Sequence, residues 1–280
     1  MKNQSTSSRW APITEDDDII ERLLDYTLQD GTLESEKETE VCFPDGTRFK
    51  EQVSSLLYDY GEMAVKMLRV SSKGDGMESV ICGYPTGSPI KGVAPIHMRF
   101  SIDEWDNLVE ANALGSFDSG ESLNFVLTNY FPNQERIRSL NEGDFHLIAI
   151  AYDWRERQDA GFNADEAMLR DWYLMADSEP IYNPDGTMNG DLFEAMRKAV
   201  LAPVVHAAPN CYNFVSPIGK IKKITAFGDC IIRTEMKLPI NGKEVPISLY
   251  APLGFYGRAP KAGSTLCGTI ALHGIWVDAK

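Results

Sequence analysis

Apolar positions along the first 60 residues repeat at helical and then at strand spacing. Ile19, Ile20, Leu23, Leu24 and Leu28 form one stripe, opened by Thr14 and a run of acidic residues and closed by Gly31, which predicts a helix that packs on a sheet. Val41 and Phe43 before Pro44-Asp45-Gly46, with Phe49 after it, predict a strand pair across a turn. The spacing of Val53, Leu56, Leu57 and Tyr60 predicts a short helix ending at Gly61.

Strands are expected at 63–70, 80–82 and 96–100, the first two separated by the Gly74/Gly76 loop. Ser101 with Glu104 reads as a capping box, so Trp105, Leu108, Val109 and Ala113 predict a second helix closed by Gly115. Residues 123–130 fit helix and strand equally, and 146–152 read as a buried strand. Asn163 with Glu166, and the segment 191–200 after a second Pro-Asp-Gly turn, predict two further helices.

From about residue 215 the pattern turns to β. Ile224, Ala226, Cys230, Ile232, Met236 and Leu238 occupy even positions, while Lys223, Asp229, Arg233, Glu235 and Lys237 take odd ones. Asn241-Gly242 predicts a hairpin, Val245, Ile247 and Leu249 alternate after it, and Leu266, Ile270, Leu272 and Trp276 share a face with Gly268 and Gly274. The meander of a long bent strand, a hairpin and a glycine-interrupted strand resembles the first strands of an OB-type barrel. That resemblance rests on strand pattern and implies a barrel-like region; it carries over nothing about catalysis. The expected class is therefore α+β: a flexible tail at 1–12, an acidic α+β domain at 13–205 and a basic β-barrel-like region at 206–280.

Charge divides the chain at the same place. Residues 201–280 hold nine Lys/Arg against four Asp/Glu, whereas the whole chain carries −14, which leaves 1–200 at about −19. Such an acidic sum opposes general coating of nucleic acid. The five cysteines, Cys42, Cys82, Cys211, Cys230 and Cys267, lack CxxC spacing, and with no secretory signal or apolar run long enough to span a bilayer they are expected to be free thiols in the cytoplasm.

Reaction motifs do not emerge. The GxG of residues 74–76 lacks a third glycine and a following helix, and neither a GxxxxGK[ST] nor a GxSxG motif occurs. His206 and Cys211 form the nearest nucleophile and base pairing, while the four histidines, His97, His146, His206 and His273, lack metal-ligand spacing. No metal or cofactor is expected. A cleft could gather His97, Trp154 and Trp172, and the odd face of the C-terminal sheet could present Lys223, Phe227, Arg233 and Lys237, with Arg258 and Lys261 from a loop, to single-stranded nucleic acid. Asp229 and Glu235 on that face leave it little net charge.

These features favour a non-catalytic binding protein, inhibitor-like or immunity-like, that turns an acidic surface to a basic protein partner. An OB-like single-stranded nucleic-acid module and a hydrolase assembled from distant residues are the alternatives. Neither nucleic acid nor a membrane is the expected partner.

Overall fold

The computed structural model describes residues 9–10, 13, 16–71, 78–118, 120, 122–157, 185, 201–203, 207–240, 243–253 and 258–278. The expected α+β class gives way to a mostly β fold, 62% strand and 12% helix, arranged in two sheets. The helices expected from Asn163 and at 191–200, the capping Thr14, the Asn241-Gly242 turn and residues 1–8, 11 and 12 of the expected tail at 1–12 lie outside the described residues, whereas the Arg9 side chain and Trp10 of that tail are buried.

Helix α1 (Asp17–Asp30) forms where its apolar stripe predicts, with the Asp16 carboxylate accepting the Asp18 and Ile19 amides at 3.0 and 3.3 Å. It is followed by an antiparallel sheet, β1 (Thr32–Cys42), β2 (Arg48–Asp59), β3 (Met63–Ser71) and β4 (Glu78–Gly87), in sequential order. Ile20 and Leu23 pack with Met63 and Val65 of β3, and Gly83 of β4 leaves room for Leu24, whose Cδ2 would stand 2.2 Å from an added Cβ. The short helix expected at 53–60 is instead part of β2. Residues 53–56 are buried without alternation because both faces of this sheet are covered, which mimics helical spacing in sequence.

The second expected helix fails for a local reason. Ile96, Met98 and Phe100 alternate with exposed His97, Arg99 and Ser101 in β5 (Ile96–Glu104), and the chain then turns tightly into β6 (Ala111–Ser116). The Asn107 side-chain oxygen accepts the amides of Val109 and Glu110, both at 3.1 Å, and Leu108 takes a left-handed φ of 65°. That side chain offers the backbone a turn where apolar spacing suggested a helix.

Strand β7 (Ser122–Leu127) and helix α2 (Tyr130–Ile137) divide the ambiguous segment, and β8 (Glu142–Arg157) follows. Beyond it lie β9 (Leu201–Pro203), β10 (Cys211–Pro217), β11 (Lys222–Ala226), β12 (Asp229–Ile240), β13 (Lys243–Pro252) and β14 (Thr265–Val277). The long ribbon β8/β14 pairs antiparallel from Asp144/Val277 to Arg157/Thr265. At one end β5, β6 and β7 join β8 to β14, which closes a barrel, since β5 pairs with β8 and β7 runs parallel to β14.

Toward the ribbon's other end, β13 lies parallel to β8 and carries β12 and β11, while β10 pairs with β14. A bridge between Ile218 and Met236, together with Ser216 Oγ accepting the Lys237 amide at 2.9 Å, links β10 to β12 and closes a second ring. Strands from both sides of residue 205 thus share hydrogen bonds, and one core runs through both rings: Phe100, Phe125 and Phe145 at one end, Ile232, Met236 and Leu249 at the other. Leu266, Ile270, Leu272 and Trp276 all enter it, as their alternation predicts.

The four-stranded sheet packs on the outside of this barrel pair. Tyr250 of β13 fixes the contact, its hydroxyl donating to the Ser88 carbonyl at 2.6 Å and accepting the Ser88 amide at 3.2 Å, with its ring against Gly87.

Candidate functional site

The cationic face expected on the C-terminal sheet does not assemble. Strands β11 and β12 are joined by Phe227 and Gly228, both at positive φ (57° and 83°), so Lys223 pairs with Ile232 and Lys222 pairs with Arg233. A two-residue hairpin reverses the parity of the numbering, and Lys223 and Arg233 therefore lie on opposite faces. Arg233 is held by the Glu62 carboxylate at 2.9 Å, and Lys237 pairs with Glu244. Phe227 is only 7% exposed, edge-on to Trp10 and Tyr60, so it is core and no stacking platform. Arg258 and Lys261 gather around Glu156, whose carboxyl is held below the usual range first by Ser264 and then by these neighbours.

The expected cleft is equally dispersed. His97 is exposed and faces Asp144 at 2.9 Å, whereas Trp154 lies ten residues further along β8, 2% exposed, with its indole donating to the Pro252 carbonyl at 2.7 Å. Trp172 and His206 lie outside the described residues, and the Cys211 thiol donates to the Tyr152 hydroxyl at 3.7 Å. Among the described residues no cluster of His, Cys, Asp and Glu could hold a metal ion.

A polar cluster that the sequence did not suggest lies where the N-terminal segment enters between sheet and barrel. Arg9 pairs with Glu110 and stacks 4.2 Å over Trp105, Asn107 donates to Glu110 at 2.6 Å, and the Tyr84 and His273 rings stand 5.9 Å apart. Burial pushes the Cys82 thiol and the Tyr84 hydroxyl upward, and lowers the His273 pKa to about 4, so these groups are neutral. The void they enclose is about 10 Å³, far below the ~300 Å³ of a small-molecule site. This cluster is built to hold elements together.

A groove of about 880 Å³ opens instead between the β1–β2 turn, β4 and the β5–β6 turn. Phe43, Pro44, Val80, Ile81, Trp105 and Leu108 supply its apolar wall, and Glu104, Asp106 and Arg48 its polar rim. Glu104 is fixed by Tyr130 and by Arg138, whose Nε donates at 2.6 Å, and Gln134 donates to the Leu108 carbonyl at 2.8 Å, so helix α2 braces this wall from behind. The volume lies within the range of ligand and peptide anchor sites.

The chain matches no protein-family model, no curated protein and no solved structure.

From the groove an acidic edge runs back along β1, where Glu36, Glu38 and Glu40 are all exposed. Glu34 is turned otherwise: the register shift between Leu33 and Ser35 lets its carboxylate reach the buried Lys66 ammonium, where burial lowers the Lys66 pKa and Glu34 opposes that shift. With exposed Glu21 and Asp25 on α1, residues 16–40 carry ten Asp/Glu against Arg22 and Lys37. The alternation of Glu36, Glu38 and Glu40 is visible in the sequence, and these three share one face of the strand. The groove was missed because its wall comes from three turns far apart in the chain.

Proposed function

We propose that this protein is a non-catalytic binding protein whose acidic surface, formed by α1 and the edge strand β1, takes a basic protein partner. The observation that carries the reading is the collection of the exposed carboxylates of Glu21, Asp25, Glu36, Glu38 and Glu40 on two consecutive elements beside a groove of ligand size. Like charges gathered this way raise the encounter rate with an oppositely charged surface and reject partners of the same sign. A reducing, cytoplasmic setting accords with the thiols of all five cysteines, and no helix among the described residues is long and apolar enough to cross a membrane.

The test is association of the full chain with a panel of small basic proteins and lysine-rich peptides at two salt concentrations. Joint Glu21→Lys, Asp25→Lys, Glu36→Lys and Glu38→Lys substitution should slow association about tenfold, with dissociation changing less. Single-stranded oligonucleotide serves as the opposing probe, and no binding tighter than about 10 μM is expected at near-physiological salt. Submicromolar, salt-sensitive oligonucleotide binding, or indifference of every basic probe to the four substitutions, would reject the reading.

A further inference from the structure

Three elements meet at the void beside the Tyr84 ring: the N-terminal segment through Arg9, the turn entering β10 through Asn210, and β14 through His273. Each brings a buried polar atom, Arg9 Nε, Asn210 Oδ1 or His273 Nδ1, that makes no hydrogen bond to another group of the protein. A buried donor or acceptor left in that condition carries its whole desolvation penalty, and such atoms are rare in folded chains.

The rest of each side chain is already committed. Both terminal nitrogens of Arg9 donate to Glu110, at 2.5 and 3.4 Å, which leaves Nε–H as the remaining donor. Asn210 Nδ2 donates to the Leu272 carbonyl at 3.1 Å, so Oδ1 is the amide atom left over. The backbone carbonyl of Asn210 accepts the Leu272 amide at 2.8 Å and holds the turn in place. His273 is kept neutral by burial and by the Arg9 charge, so one ring nitrogen carries a proton and the other a lone pair. With the guanidinium lining the same void, the lone pair is favoured on the buried nitrogen, Nδ1.

The size and the chemistry of the void together select an occupant. Its volume is about 10 Å³, at the lower bound for one water molecule and too small for anything larger. One donor and two acceptors then surround it, which a water matches with one lone pair and both hydrogens. An anion would face the Asn210 oxygen and the Nδ1 lone pair, and a cation would face the Arg9 guanidinium.

We propose that this void is a binding site for a single structural water, which accepts from Arg9 Nε–H and donates to Asn210 Oδ1 and His273 Nδ1. Glu110 ties Arg9 to the β5–β6 turn, and the water ties it to β14 and to the entry of β10. The same molecule holds His273 in the tautomer with its proton on Nε2.

A crystal structure of the full chain, at a resolution that shows ordered solvent, is the direct test. One water is expected within about 3.2 Å of all three atoms. An empty void, or a direct hydrogen bond from any of the three atoms to another protein group, would overturn the site. In solution, long-range proton–nitrogen spectra should show His273 protonated on Nε2 and bare on Nδ1 at neutral pH, its signals assigned by their loss in His273→Phe. A proton on Nδ1 would overturn the arrangement, because the ring would then donate where the water must donate. Relaxation dispersion of water deuterons counts long-lived internal waters. His273→Phe puts a C–H where the acceptor stood and should lower that count by one, with thermal melts confirming that the variant folds. An unchanged count would place the long-lived waters elsewhere and reject the proposal.

Discussion

The Arg9 guanidinium and the Glu110 carboxylate, 101 residues apart in sequence, form an ion pair in which the two side chains are 8% and 4% exposed. Burial opposes the charge on Arg9, and Glu110 outweighs it, so the guanidinium stays protonated. The pair ties the N-terminal segment to the turn that also walls the groove, since Asn107 donates to the same carboxylate. Trp10, next in sequence, donates its indole N–H to the Gly83 carbonyl of β4 at 2.9 Å.

Removing one partner of that pair leaves the other buried and uncompensated. Glu110→Ala should destabilise the fold by about 3–5 kcal/mol, whereas joint replacement of Arg9 and Glu110 by Met and Leu should cost much less. Urea unfolding of both variants is the measurement, and a single variant no worse than the double one would contradict the burial of the pair.

His273 gives a pH signature. Its ring is buried and its pKa is lowered to about 4 by burial and by the nearby Arg9 charge, against 6.5 for the ordinary group. Between those values the unfolded chain takes up a proton that the folded chain refuses, so stability rises with pH there. The contribution is fully present above pH 6.5 and is lost as pH falls toward 4, amounting to about 3 kcal/mol from the shift. His146, also lowered by burial, adds in the same direction. Replacing His273 by Phe should flatten the stability profile over this window, and an unchanged slope would contradict a neutral buried ring.

Legibility of the fold followed the reach of each signal. Helix α1, the Pro44-Asp45-Gly46 hairpin and the burial of Leu266, Ile270, Leu272 and Trp276 are set by neighbours in sequence, and all appear. Ring closure depends on β8 pairing with β5, β13 and β14, partners whose identity no local pattern encodes. For the same reason apolar residues on both faces of β2 read as a helix.

The candidate site divides similarly. The acidic character of β1 was open to reading, whereas the opposite placement of Lys223 and Arg233 hung on one two-residue turn. Phe227 occupies the left-handed position of that turn, where Asn or Gly would be expected, because its ring packs between Trp10 and Tyr60. Packing overrode turn preference there.

Gly268 marks the tightest point of the shared ribbon. A Cβ at this position would stand 2.3 Å from the Asp153 carbonyl oxygen and 2.8 Å from Trp154 Cα, backbone atoms that cannot rotate aside. Strand β14 bends against β8 here, next to the register shift between Thr269 and Ile270. Gly268→Ala should destabilise by about 1–3 kcal/mol, the range for an added carbon in a packed region. Gly46→Ala, with open space around its Cβ, should cost only what its φ of 87° imposes, about 1–2 kcal/mol. Thermal melts that rank Gly46→Ala as clearly the more damaging would contradict the close approach of β14 to β8.

The five thiols should separate into two kinetic classes under a water-soluble aromatic disulfide reagent. Cys82 and Cys211 are buried, and burial pushes the Cys82 thiol upward, which starves it of the reactive thiolate. Cys42, Cys230 and Cys267 are part-exposed, and Cys42 stands in the groove wall. Native protein should therefore release the reagent's chromophore quickly from up to three sites, and all five should react once denatured without reductant. Fast labelling of Cys82 or Cys211 in native protein, resolved by mass mapping of the labelled fragments, would contradict their burial.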